Sequence, residues 1–335
     1  MTCSAADRSI IMNITHSETE IEPFDPHADY RPGVQIRAAL AAHRVGCSCR
    51  LHRRRLFGAG LLAGGLALSL PSLAQDGVQM DKQSQIAKLV PADQLESAAA
   101  QQYQQLLREA SQQRALAPAS HPQVIRLRAI AQRLIPFVNS PNLQSTPRAA
   151  DWNWEVNLIG SKELNAFCMP GGKIAFYFGI LQQLQLSDDE VAQIMGHEMA
   201  HALREHARER VGKTTATRLG ANLLSSVLGL GNLGDAALGM GAQLLTLRFS
   251  REDESEADKV GLDLAARGGY NPRAGVTLWE KMASAGGGAP PQFMSTHPSG
   301  PSRIRDIQQN LPSVEAVYRR APKPPQQYSP PAKGG

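Results

Sequence analysis

Residues 194–206 read IMGHEMAHALREH and put three histidines and two glutamates into thirteen positions. His197 and His201 are four residues apart, so on a helix they project from one face and can grip one zinc ion. Glu198 follows His197 and lies about 100° further round the helix. From there its carboxylate reaches a water held by the metal without binding the metal. Zinc lowers the pKa of such a water to about 7, so a nearby carboxylate can take its proton. The chemistry this predicts is hydrolysis. The competing reading is a solvated polar helix. Met199 and Ala200 argue against it, because two buried, unmetallated histidines beside a buried glutamate are costly. His206, five positions beyond His201, is expected to point elsewhere and lie on the surface among Arg204, Glu205, Arg208 and Arg210.

A third ligand must come from further along. The segment SREDESEADKVGLDLAARGGY carries five carboxylates from Glu252 to Asp258. Helical phase puts Glu254 and Asp258 on the apolar face with Ala257, Gly261, Leu264 and Ala265. Glu252, Glu256, Lys259 and Asp263 fall opposite, as a solvated charged face. Glu254 is the better ligand, and Asp258, one turn on, can accept the free N–H of a ligating histidine. His297, in STHPS, is on a loop that can reach the metal. Its candidate roles are stabilising a developing oxyanion and occupying the open metal position until substrate displaces it; a plain loop histidine is the alternative.

The elements that hold these residues follow from local signals. Ser187 and Glu190 form a capping box that starts the helix of the first motif, predicted to run to about Arg210. Residues 76–140 show helical spacing in two stretches, 152–160 and 173–178 read as strands, and Pro170-Gly171-Gly172 is a turn. Helices are predicted at 250–266, from Asn271-Pro272 to Met282, and at 301–310, with a loop at 286–291. The Gly-rich 213–246 segment reads as two short core helices with a mobile link, with peripheral membrane contact as the second reading; its apolar run is too short to span a bilayer. The six prolines from Pro312 on predict a disordered tail.

The order of four blocks resembles the HtpX and CAAX-prenyl-protease family of zinc metallopeptidases, metallopeptidase family forty-eight. These blocks are NAFCMPGGKIAFYFGIL (165–181), His197-Glu198-x-x-His201, Glu254-x-x-Ala257-Asp258 and STHPSGPSRI (295–304). The resemblance implies an α+β, mostly α-helical, zincin-like domain of gluzincin type with a small sheet beside the active-site helix. It implies one Zn2+ per chain on His197, His201 and Glu254, with Asp258 behind them and Glu198 as base. It places the strand after Pro170 along the cleft, so Lys173–Tyr177, with Lys173 and Ala175 on it, is expected to pair with extended substrate. Asn165 is a candidate to brace this region or hold substrate backbone, with a turn-forming role as the alternative. Arg303 is a further candidate at the substrate loop, acting through a carboxylate, with a surface role as the alternative. Cys168 reads as a packed strand residue.

The bulk numbers fit this frame. The chain has 335 residues, 42% of them hydrophobic and 19% charged, with a formal charge of +5 that forms no long basic stripe, so no nucleic-acid partner is expected. The stretch HRRRLFGAGLLAGGLALSLPSLAQ from His52 has the charged, apolar and small-residue regions of an export signal, with cleavage near Ala74. Four glycines in the apolar run make a buried helix a poor alternative. Arg54-Arg55 with Phe57 resembles a twin-arginine signal, the general export route being the other reading. The position of the signal predicts a translation start later than Met1, at Val45 or Leu51. Only Cys168 of four cysteines follows the cleavage point, so no internal disulfide is expected in the mature chain. The resulting division is 1–74 as upstream segment and signal, 75–150 as an N-terminal helical segment, 151–311 as the catalytic domain and 312–335 as the tail. A periplasmic location is expected, with unfolded or damaged envelope proteins as partners. A chaperone or assembly scaffold with a latent zinc site is the second class. A non-catalytic metal module is disfavoured by Glu198, which a structural site does not need.

Overall fold

A computed structural model describes residues 76–227, 241–285, 292–297 and 302–333. The export-signal pattern, the cleavage point and the 286–291 loop lie outside these residues. Helix α1 (Ala92–Gln112) buries Leu95, Ala99, Tyr103, Leu107 and Ala110 at spacings of three and four, with Gln94, Gln101, Gln104 and Gln105 turned to solvent. Helix α2 (Pro122–Leu134) starts at His121, whose ring accepts the Gln123 N–H, and has Pro122 where a missing N–H costs nothing. Strands β1 (Glu155–Ile159), β2 (Ala166–Met169) and β3 (Lys173–Tyr177) form one sheet in the order β1-β3-β2. β1 runs parallel to β3, and β2 runs antiparallel to it through the Pro170–Gly172 turn.

The short helix α3 (Phe178–Gln183) leads to α4 (Asp188–Leu203), which begins with the predicted capping box. Then follow α5 (His206–Val227), a 3-10 turn at Gly241–Thr246, α6 (Arg251–Arg267), α7 (Ala274–Ala285), α8 (Gln292–Thr296) and α9 (Ser302–Arg320). No helix among the described residues is long and apolar enough to cross a membrane.

The sheet divides the core. α1 covers one face, where Tyr103, Leu107, Met169 and Ala175 pack together. The other face joins the main core made by α2, α4, α6, α7 and α9. Tyr103 binds the two layers: its hydroxyl donates to the Ile174 carbonyl (2.5 Å) and accepts from Asn157 (3.1 Å).

The most extensive helix contact among the described residues is α4 on α6. A Cβ built on Gly196 would meet the Gly261 carbonyl at 2.9 Å, and one built on Gly261 would meet the His197 nitrogen at 2.8 Å. Glycine at both positions lets the two backbones touch beside His197.

The structure corrects several expectations. β3 is the central strand, with both edges paired, so it offers no edge to a substrate. α4 ends at Leu203 and does not run to Arg210; Glu205 takes a left-handed φ of 58° and starts a new helix direction. Asp263 is fully buried rather than solvated, accepting from Val78 N–H, Asn142 and Arg267. α9 continues through Pro312 because Ile307, Leu311, Val314 and Val317 keep a buried stripe whose packing outweighs the proline's cost of about 3 kcal/mol. The tail beyond it is ordered through residue 333: Tyr328 N–H donates to Asp188 (2.8 Å), and the Ser329, Pro331 and Ala332 carbonyls accept from Gln123, Gln185 and Gln182.

Candidate metal centre and cleft

The capping box fixes where α4 starts. Glu190 N–H donates to Ser187 Oγ (3.3 Å) and Ser187 N–H to Glu190 Oε2 (2.8 Å). Lys281 and Thr277 of α7 hold the same carboxylate at 2.7 and 2.9 Å. Two and a half turns on, His197 and His201 bring their Nε2 atoms within 3.2 Å of each other. α6 has its own capping box, Ser250 with Asp253, which the sequence reading did not use. It sets Glu254 in the first turn, and the Gly196–Gly261 contact draws that turn against α4. Glu254 oxygens lie 3.5 Å from both His197 Nε2 and His201 Nε2.

Three residues therefore converge as the sequence predicts. A fourth joins them: ligand atoms of His197, His201, Glu254 and His297 all lie within 4.8 Å of one another, and all four residues are buried. His297 Nδ1 is 3.0 Å from Glu254 Oε1, and its Nε2 is 3.6 Å from Glu198 Oε1.

Asp258 occupies the predicted place, 3.0 Å from His197 Nδ1, which leaves Nε2 turned to the cluster. Arg303 is not at the substrate cleft. Its Nε and one terminal nitrogen donate to the two oxygens of Asp258 (2.8 Å each), and the other terminal nitrogen donates to Glu254 Oε2 (2.7 Å). The guanidinium also lies 3.6 Å from the Trp279 ring centre. Arg303 is thus a clamp on two carboxylates, which explains how buried Glu254 and largely buried Asp258, one turn apart, are tolerated.

The electrostatics follow from this packing. Burial works against ionised Glu254, but bonds from His197 and His297 outweigh it and hold the carboxyl well below its ordinary range. Asp258 is likewise lowered, Arg303 overcoming the effect of burial. For His197, burial favours the neutral ring, yet the Asp258 and Glu254 bonds push its pKa up to about 9. Burial holds His201 well below the ordinary imidazole value.

Glu198 differs from these acids. Burial raises its carboxyl, and its Oε1 is the buried oxygen of the site without a hydrogen-bond partner among the described residues. A carboxylate so placed fits a site whose remaining occupants are a metal ion and a water. Two imidazoles, one carboxylate and an adjacent carboxylate oxygen without a hydrogen bond among the described residues are a donor set suited to a divalent transition metal.

The cleft in front of the cluster is lined by residues 165–170 of the β2 side, by Glu198, His201, Thr296 and His297, and by Leu244, Leu245, Leu247 and Phe249. Asn165 is at its wall, but its side-chain oxygen accepts the N–H of Ala166 (2.9 Å) and its carbonyl accepts from Tyr177 (3.0 Å). These bonds hold Asn165 at the start of β2, where its carbonyl extends the pairing with β3. Lys173 is buried outside the cleft, donating to the Asn153 carbonyl (2.6 Å). Ala175 is buried under α1. Neither meets the cleft, because the strand that carries them is central. The cleft-side edge belongs to β2. Asn165 pairs with Tyr177, so alternation along the strand turns the main-chain groups of Ala166 and Cys168 the other way.

His206 is the main residue that the sequence reading misplaced. It is buried, with Nδ1 3.0 Å from His201 Nδ1. No local signal marked the turn that puts it there, since the left-handed position is occupied by Glu205 rather than Gly or Asn.

The profile of "Peptidase family M48" matches residues 122–311. The chain is 40% identical over 169 residues to mitochondrial metalloendopeptidase OMA1 of Arabidopsis thaliana, covering 50% of this chain and 34% of that protein. It is 35% identical over 201 residues to the OMA1 of Schizosaccharomyces pombe, covering 59% of this chain and 56% of that protein. Metalloprotease LoiP of Escherichia coli is 29% identical over 211 residues, covering 62% of this chain and 78% of that protein. The chain thus spans about a third and just over half of the two OMA1 proteins.

Proposed function

This chain belongs to peptidase family M48, and from that premise we propose that it is a zinc-dependent endopeptidase acting on unfolded or damaged proteins of the bacterial envelope. The observation that carries the activity is buried Glu198 Oε1, without a hydrogen-bond partner among the described residues, beside two histidines and a glutamate that converge. His197, His201 and Glu254 would hold the ion. Zinc, when bound, supplies a Lewis acid that activates water near neutral pH and polarises the scissile carbonyl. Glu198 Oε1 accepts the proton of the attacking water and then delivers it to the leaving amine nitrogen. Asp258 and Arg303 keep His197 and Glu254 in place through that transfer. The carbonyl of Ala166, whose N–H is held by Asn165, and the cleft-side main chain of Cys168 pair with an extended peptide, and Leu244, Leu245 and Phe249 offer it apolar contact. The preference for unfolded proteins rests on this main-chain pairing, which a folded substrate cannot enter. The periplasmic location rests on the export-signal pattern before Gln75.

The test is paired. Residues 75–335 should contain one zinc per chain and cleave casein, and Glu198→Gln should keep the zinc while losing cleavage by about 10²–10⁴-fold. Cleavage by the variant at the wild-type rate would overturn the assignment of the base.

One observation favours a second reading. His297 stands among the ligand atoms, so the protein could be held latent, acting as a chaperone or scaffold until this residue withdraws. Zinc without cleavage in the wild type, and cleavage restored by His297→Ala, would favour latency over constant activity.

A further inference from the structure

We propose that His206 is a positioning residue for the metal site, fixing the ring of His201 through a relay that ends on Glu256. The inference rests on the metal-site reading above. In an uninterrupted helix, residues five apart lie about 140° apart, and their rings cannot meet. Here the chain leaves α4 at Leu203, turns at Glu205 with φ 58° and re-enters a helix at His206. The Glu205 carboxylate is held by Arg208 at 2.8 and 2.9 Å, and its N–H bonds the Ala202 carbonyl (3.1 Å). The turn folds His206 back so that the two ring centres are 5.0 Å apart.

The direction of each bond then follows from valence. If His201 offers Nε2 to the metal, its proton is on Nδ1. The group opposite is His206 Nδ1 at 3.0 Å, which must accept. The proton of His206 is therefore on Nε2, facing Glu256 Oε2 at 3.4 Å. Arg204 secures that carboxylate at 2.8 Å and is itself anchored on the carbonyls of Leu143 (3.3 Å) and Gln144 (3.0 Å). His206 is 2% exposed and Phe249 stacks on His201 at 3.9 Å, so solvent has little access to take over the role. The two metal histidines are thus supported differently: His197 by a carboxylate directly, His201 by an imidazole that relays one. Outer partners of this kind set the orientation and tautomer of a ligand.

The experiment measures zinc affinity of the full chain by competition with a chromogenic chelator, together with thermal unfolding of the zinc-free protein. His206→Phe keeps the ring volume and removes the acceptor. His206→Asn places an amide oxygen near the lost Nδ1. We expect Phe to weaken zinc binding about 10–100-fold and Asn to stay within about threefold of wild type, with zinc-free melting unchanged in both. A Phe variant within about twofold of wild type, or equal losses in Phe and Asn, would overturn the role. If His206→Phe fails to fold without metal, Glu256→Ala carries the test: binding at least about threefold weaker supports the relay, and unchanged binding overturns it. Wild-type protein that binds no zinc would overturn the metal reading itself, whereas wild-type binding with an indifferent Phe variant overturns the relay alone.

Discussion

Replacing Gly261 by alanine should weaken zinc binding and stability together. The added Cβ would stand 2.8 Å from the His197 nitrogen and 3.1 Å from the Gly196 carbonyl carbon, against 3.4 Å for ordinary contact. Both neighbours are backbone, so neither can swing aside, and the helices must separate by about 0.6 Å at the level of His197. Overpacking of this kind costs about 1–3 kcal/mol, from which the better helix propensity of alanine recovers up to about 1 kcal/mol. With that recovery in full the net loss is about 0–2 kcal/mol. The same separation moves Glu254 and Asp258 away from the two histidines, and zinc distances tolerate only about 0.2 Å. Zinc affinity should fall at least about tenfold, or about 1.4 kcal/mol. Gly275 is the control. Its added Cβ would meet the Leu262 side chain at 3.3 Å and Ile307 at 3.5 Å, contacts that side chains can relax. Gly275→Ala should leave zinc affinity unchanged and melt at or slightly above wild type. Chelator competition and thermal melts of the zinc-free and zinc-loaded forms read both quantities. If Gly261→Ala binds zinc and melts as the wild type does, the helix contact is not what sets the ligand distances, and the reasoning fails.

Two further outcomes follow from buried polar groups. Tyr103→Phe leaves the Asn157 amide without one acceptor under α1, which should cost about 1–3 kcal/mol and lower the melting temperature by roughly 2–4 °C per kcal/mol with zinc affinity intact; a drop below about 1 °C would show that the hydroxyl contributes nothing. Cys168 is buried, and burial followed by the nearby Glu198 charge raises its thiol pKa well above the ordinary value of 9.0. An acid whose pKa is raised gains its anion only as pH passes the raised value, so at pH 8 the native thiol of residues 75–335 should react with a disulfide reagent at least about 100-fold more slowly than the denatured one. Equal rates would mean that the cleft opens on Cys168.

The parts of the site that were legible in the sequence are those fixed by helical phase. His197, Glu198 and His201 depend on one helix whose start is written as Ser187 and Glu190, and Glu254 and Asp258 depend on a second helix read by its apolar face. The parts that were not legible depend on pairing across the chain or on an unsigned turn. Nothing in KIAFY reveals that β1 and β2 flank it on both sides, so Lys173 and Ala175 were assigned to a cleft that Ala166 and Cys168 border. Asp263 lies on the polar phase of α6, but residues 76–78, far away in sequence, fold over it and convert a surface position into a buried one. Arg303 is expected to act through a carboxylate, but the sequence does not say which; packing supplies Asp258 and Glu254, 45 and 49 residues earlier. His206 followed a helix that stops at Leu203.

The stacking of Arg303 on Trp279 has an optical consequence. The chain holds three tryptophans; Trp152 and Trp154 pair with each other, 5.4 Å apart, and Trp152 also bonds Glu96. Among the described residues, Trp279 alone of the three carries a guanidinium on its face, at 3.6 Å, and an imidazole of the cluster at its edge, 6.4 Å from His197. Indole emission responds to nearby charge, so any event that loads His197 or loosens the Arg303 clamp is reported as a colour or intensity change from one ring. The protein thereby contains its own fluorescent indicator of the state of the site, readable without a label and assignable by comparison with Trp279→Phe.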